Sequence, residues 1–175
     1  SSVYGNAASV NTADGADTVY ISGTASAAYV SAGGGADTIE ITDNITDTTV
    51  FGGAGTDTFS LKSAVSSEIV GNKGADTLLF AGGVEGSSVY GAGNAITTDD
   101  GADSLAFTTG ELSASTVQGN GGADTLFAAT GINDSYVRAG ADADYITLNN
   151  TVSKTEVAGN KGADTFLFGD VVNRS

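Results

Sequence analysis

Eight aspartates recur along the 175-residue chain at near-fixed intervals: Asp17, Asp37, Asp57, Asp76, Asp103, Asp124, Asp144 and Asp164, spaced 20, 20, 19, 27, 21, 20 and 20 residues apart. Seven of the eight are followed by Thr or Ser, Tyr145 being the exception. Each is preceded by a turn rich in Gly, as in Gly52-Gly53-Ala54-Gly55-Thr56-Asp57. A carboxylate supplies hard anionic oxygen. Glycines let a turn adopt positive φ and direct its carbonyl oxygens. Carboxylate oxygens beside such turns are the donor type that a hard cation such as calcium uses, with its six to eight oxygen ligands at about 2.3–2.6 Å.

Other chemistry is excluded by composition. The chain has no Cys, and with no His it has neither a Ser-His-Asp triad nor an imidazole-bound metal. Acids outnumber bases 21 to 6 for a formal charge of -15, which argues against nucleic acid as a partner. No apolar run approaches the roughly 20 residues that cross a bilayer, so membrane insertion is not expected. Ser1 to Asn11 show no basic start and no apolar stretch, so no signal peptide is visible there. Hydrophobic residues make up 40 % of the chain, too many for disorder. Ser and Asp are plentiful but follow the repeat, and no catalytic base stands out, so an enzyme is not expected.

The elements that must hold these aspartates read as strands. Two residues past each Asp stands Val19, Ile39, Phe59, Leu78, Leu105, Leu126, Ile146 or Phe166, and two further on Ile21, Ile41, Leu61, Phe80, Phe107, Ala128, Leu148 or Phe168. This is the period-2 pattern of a half-buried strand. A second strand is marked by Val30, Val50, Val70, Val89, Val117, Val137 and Val157, 13 or 14 residues past the Asp. Each unit is therefore strand, turn, strand, turn, and no helical period is present. Such a pair cannot bury its face alone, but stacking unit on unit builds a shared core. The expected fold is all-β: a right-handed parallel β-solenoid of about eight coils of about 20 residues, two strands per coil, roughly 40 Å long.

A longer period lies above the short one. The 27-residue gap carries seven extra residues, and Ser2-Val3-Tyr4-Gly5 aligns with Ser88-Val89-Tyr90-Gly91 at a displacement of 86 residues. On that alignment the chain is one continuous solenoid of two four-coil modules, 1–86 and 87–175, each opened by a longer loop, 12–17 and 98–103. Residue 1 would begin in the second strand of a coil. Neither end shows the polar cap that solenoids need, so the expectation is a window on a longer array or a protomer that stacks end to end.

The turns themselves carry a resemblance. Gly52-Gly53-Ala54-Gly55-Thr56-Asp57-Thr58-Phe59-Ser60 fits G-G-x-G-x-D-x-U-x throughout. The turns ending in Asp76, Asp124 and Asp164 differ only by Asn72, Asn120 and Asn160 at the second place, and the turn ending in Asp37 differs only by Ala32 at the first. This resembles the RTX, or haemolysin-type, calcium-binding repeat. The resemblance implies ions held between successive turns by the repeat aspartates and by backbone oxygens at Gly33, Gly35, Gly53, Gly55, Asn72, Gly74, Asn120, Gly122, Asn160 and Gly162. The loops before Asp17 and Asp103 lack the leading glycines, and Asp142 replaces the Gly before Asp144. There Asp14, Asp100 and Asp142 are candidate extra ligands. The opposite turns, such as Ser22–Ser26, Thr42–Thr46 and Asn149–Ser153, do not fit. Calcium is therefore expected along one edge only, as about six or seven ions.

A metal-free reading would stack the Asp side chains as a hydrogen-bond ladder, but bare carboxylates about 5 Å apart repel. Twelve of the 21 acids lie in these turns. By resemblance the chain is a secreted, extracellular structural protein of the bacterial cell surface, exported by type I secretion through a signal outside this chain. It would build an S-layer, fibre or filament with further copies of itself and take a cell-surface polysaccharide as partner. The alternative is a passive stalk of a secreted adhesin, toxin or enzyme. An ice-binding face is the lesser reading. Ice-binding relatives carry Thr and Asn in the calcium turn, where this chain has Gly34 and Ala36, Lys73 and Ala75, Lys161 and Ala163.

Overall fold

The computed structural model describes residues 2–4, 9–93 and 100–169, for 2–4 the backbone alone. Among them every residue in regular structure is in a strand, and every strand pairing is parallel. The chain is a β-solenoid of about eight coils. One sheet has 8 strands and stacks in order along the rod; the other has 14.

Sequence alternation explains the first column of the larger sheet. Thr18–Ile21, Thr38–Thr46, Thr58–Val65, Thr77–Phe80, Ser104–Phe107, Thr125–Ala128, Tyr145–Leu148 and Thr165–Phe168 pair in register, so Val19, Ile39, Phe59, Leu78, Leu105, Leu126, Ile146 and Phe166 form one line. All but Phe166 are buried, and Phe80 stacks on Phe107 with centroids 5.2 Å apart. The Thr and Ser after each Asp point outward as a column broken only by Tyr145.

Three details differ from the sequence expectation. First, seven coils have, among the described residues, a third strand column. Ala25, Ile45, Ala64, Val84, Leu112, Ile132 and Val152 stack in register where the sequence suggested only a turn. All seven are buried. In Thr38–Thr46 and Thr58–Val65 the strand runs straight through into this column, with an irregularity between Ile41 and Asn44. The elements are short, as few as two residues, so no alternation marks them.

Second, Ile69 rather than Val70 faces the core. Ile69 pairs with Val50 and Val89, whereas Val70 pairs with the outward Phe51 and Tyr90. Both side chains are apolar and adjacent, so only register separates them.

Third, Ser2–Tyr4 lies in the larger sheet, paired with Thr18–Tyr20. The second-strand position of that coil is held by Val10, opposite Val30. The segment Ser88–Ala92, which aligns with residues 2–5 in sequence, lies in the other sheet. Consequently 12–17 is an ordinary turn: Asp14 bridges Gly34, and the Gly15 N–H donates to the Gly34 carbonyl. The other long loop keeps its extra length between Ala92, opposite Asn72, and Asp100. Its residues Thr98 and Asp99 lie outside the described residues, as do 170–175 at the junction that the end-to-end reading invokes.

Candidate functional site

The candidate site is the edge where the 8-stranded sheet turns into the larger one. Local sequence dictates the turn. The second place of the motif needs positive φ, and Gly33, Gly53, Asn72, Asn120 and Asn160 all have φ between 74° and 116°. Asn is the residue that replaces Gly there at least cost. Two residues on, Gly35, Gly55, Gly74, Gly122 and Gly162 have φ between 98° and 130°, and Asp142 takes the same role at 77°. Close approach reinforces the choice: a Cβ on Gly53 or Gly55 would collide with the carbonyl oxygen of Gly33 or Gly35 in the coil before.

Each turn folds its Asp inward. Asp17, Asp37, Asp57, Asp76, Asp103, Asp124 and Asp144 are at most 4 % exposed. The Asp17 N–H donates to Asp37 Oδ1 at 2.7 Å, and the same bond repeats from each Asp to the next, through Asp57, Asp76, Asp103, Asp124 and Asp144, to Asp164 at 3.1 Å. One carboxylate oxygen per coil is thus satisfied by the neighbouring backbone. The other is not: Oδ2 of Asp37, Asp57, Asp76, Asp103, Asp124 and Asp144 is buried with no hydrogen-bond partner. It points across the turn. A Cβ on Gly52, Gly71, Gly91 or Gly119 would collide with Oδ2 of Asp57, Asp76, Asp103 or Asp124. The leading glycine therefore makes room for the carboxylate, and Gly91 takes that place for Asp103, where the sequence suggested no leading glycine.

Burial without compensation disfavours the charged form. Asp57 and Asp144 are pushed up to about 6, Asp76 to about 7, and Asp103 and Asp124 to about 8. Loss of solvent is the largest cause, the N–H from the preceding coil opposes it, and neighbouring carboxylates add to it. Asp37 is raised by burial as well.

The three candidate extra ligands divide. Asp100 joins the edge: its Oδ2 accepts the Gly121 N–H at 2.8 Å, its Oδ1 is buried without a partner, and its charge raises Asp76, Asp103 and Asp124. Asp142 is exposed but near enough to raise Asp124 and Asp144. Asp14 is exposed and pairs through its backbone with Gly34.

At the opposite turn lies a second ladder that the sequence reading missed. Thr48, Ser67, Ser87, Ser115 and Ser135 are buried, and Thr155 continues their column. Each hydroxyl oxygen accepts the backbone N–H of the preceding coil's counterpart, from Ala28 N–H to Thr48 Oγ1 at 3.3 Å through to Ser135 N–H to Thr155 Oγ1 at 3.3 Å. Each donates in turn to the carbonyl two residues before it, at 2.7–2.9 Å. The residue before each hydroxyl, Asp47, Ser66, Gly86, Ala114, Asp134 or Lys154, has φ of 48–56°, as has Ala27 at the same place before Ala28. The signal was available: six of the eight second strands carry Ser or Thr two residues before their inward Val or Ile, Ala8 and Ala28 being the exceptions.

Chemically, the aspartate edge is a file of buried carboxyl oxygens, one per coil, without a hydrogen-bond partner among the described residues. With neither His nor Cys in the chain, the donor set is oxygen alone, which suits calcium. Among the described residues no three acidic side chains converge on one point. An ion here would take the remainder of its shell from backbone carbonyls. No family model, no curated protein and no solved structure matches the chain.

Proposed function

We propose that this chain is a structural β-solenoid whose aspartate edge binds calcium, and that the calcium-loaded rod assembles with further copies into an extracellular layer or filament. The observation that carries the reading is the file of six buried Oδ2 atoms without partners. A buried carboxylate left charged and unpaired is costly, and calcium neutralises it without disturbing the Oδ1 ladder. The Asp carboxylates and the carbonyls of the adjoining Gly and Asn residues would hold the ion. The repeat aspartates, not any one cluster, set the number of sites.

A thermal melt followed by circular dichroism at pH 7.5 tests this. One site at 100 times its dissociation constant adds about 2.7 kcal/mol, and each kcal/mol moves the midpoint of a chain this size by about 2–4 °C. Several sites should raise Tm by more than about 10 °C over EGTA. An unchanged midpoint would sink the calcium reading.

A second reading has its own observation. The unbroken N–H to Oδ1 chain needs no metal if each Oδ2 carries a proton. On that reading the rod is most stable in acid and indifferent to calcium.

A further inference from the structure

The sequence holds a single Asn-Gly pair, Asn120-Gly121. Asn-Gly is the dipeptide at which a backbone nitrogen most readily attacks the side chain before it, because Gly has no Cβ to hinder the approach. Gly121 N and the carbonyl carbon, Cα, Cβ and Cγ of Asn120 are the five atoms of the ring that such an attack closes. Asn72 and Asn160 stand at the same place in their turns but precede Lys73 and Lys161.

The acceptor of the Gly121 N–H sets this turn apart. One and two coils on, the corresponding N–H groups of Ala141 and Lys161 donate to backbone carbonyls of the coil before, Asn120 at 2.7 Å and Gly140 at 2.9 Å. A peptide carbonyl is no base. The Gly121 N–H donates instead to Oδ2 of Asp100, at 2.8 Å. A carboxylate can take the proton, and the pair lies inside the reach of about 2.6–3.2 Å that a general base needs.

The electrophile is held as well. Asn120 Nδ2 donates to the carbonyls of Ala92 and Gly93, at 2.9 and 3.3 Å. The Asn120 carbonyl accepts the Ala141 N–H. The side-chain amide and the peptide are thus both fixed, which reduces the freedom lost on reaching the attack geometry. Asn120 is 8 % exposed, and a surface notch that it lines with Arg138 and Gly140 admits water beside it.

We propose that Asn120 is a self-modification site, at which Gly121 N attacks Asn120 Cγ with Asp100 as the general base. The N–Cγ bond forms as the Gly121 proton passes to Asp100 Oδ2. The Cγ–Nδ2 bond then breaks, and Nδ2 leaves as ammonia with that proton, which restores the carboxylate. Water opens the succinimide at either carbonyl and leaves aspartate or isoaspartate at position 120. Either product removes the Nδ2 donor that ties this coil to Ala92 and Gly93 and adds a carboxylate to the aspartate edge. Isoaspartate also lengthens the main chain by a methylene where Asn120 pairs with Gly140.

The test is incubation of the full chain at pH 7.5 in ¹⁸O-labelled water, followed by peptide mapping with mass spectrometry that separates aspartate from isoaspartate. EGTA is present, so calcium affinity does not bear on the result, and sucrose holds the folded state. Both products should accumulate at position 120, each with one solvent oxygen, well ahead of any change at Asn72 or Asn160. The folded chain should convert faster than the same chain in urea, where Asp100 no longer sits on Gly121. Asp100→Gln, whose amide can accept the N–H but not its proton, should slow conversion by at least about tenfold, since a general base contributes roughly 10²–10⁴-fold. Gln is chosen because Asn before Gly101 would create a second labile pair. No conversion at position 120, slower conversion folded than in urea, or a rate in Asp100→Gln equal to or above that of the parent chain would each overturn the proposal. The last result would make Asp100 a clamp on the turn and not a base.

Discussion

At the scale of the residue, the aspartate carboxyl determines how the molecule responds to its surroundings. Asp57, Asp76, Asp103, Asp124 and Asp144 have folded-state pKa values of about 6, 7, 8, 8 and 6, above the roughly 3.9 of an unfolded Asp. A raised carboxyl binds more protons folded than unfolded, so its contribution is complete below about pH 4 and is lost as pH rises through the folded value. In EGTA the melting temperature should therefore fall steadily between pH 4 and pH 8. In saturating calcium, thermal melts should show that fall flattened, because the ion stands in for the proton. A fall equally steep in both would place calcium elsewhere. Asp103→Asn separates the roles further. The amide keeps the Oδ1 that accepts the Asp76 N–H and removes the charge. In EGTA at pH 8 it should raise Tm, and in calcium it should reduce the gain. A variant that loses stability in both conditions would assign Asp103 to packing alone.

At the scale of the element, what could be read in the sequence followed the length of the pattern. The first-column strands alternate over four positions or more, and Val19, Ile39 and Phe59 lie buried in one line as the alternation requires. The third column escaped because two residues such as Val84-Glu85 or Leu112-Ser113 carry no period. Val70 was mistaken for Ile69 because neighbouring apolar residues differ only in register, which pairing settles. The inward aspartates were found by type and spacing, but their Oδ1 ladder needs the coil-to-coil fit that only stacking shows. The hydroxyl ladder makes the element-scale prediction. Ser115→Ala would leave the Ser87 N–H, which donates to Ser115 Oγ at 3.2 Å, buried without an acceptor. Urea unfolding should show a loss of about 1–3 kcal/mol. A neutral result would mean that the ladder contributes nothing beyond the backbone pairing.

At the scale of the whole molecule, coils touch only their neighbours, so stability is a sum along the rod, and the two edges can be read separately. Hydrogen exchange in EGTA at pH 8 should show the amides of Asp57, Asp76, Asp103 and Asp124 opening faster than those of Ser67, Ser87 and Ser115, although both sets belong to the same coils. Calcium should bring the two sets together, and equal protection without calcium would contradict the separation. The neutral hydroxyl ladder thereby acquires a mechanical meaning. A rod held on one side by groups that never ionise, and on the other by groups that do, cannot swell evenly when its carboxyls lose their protons. One side keeps its length while the other is pushed apart, and repulsion between charges becomes curvature.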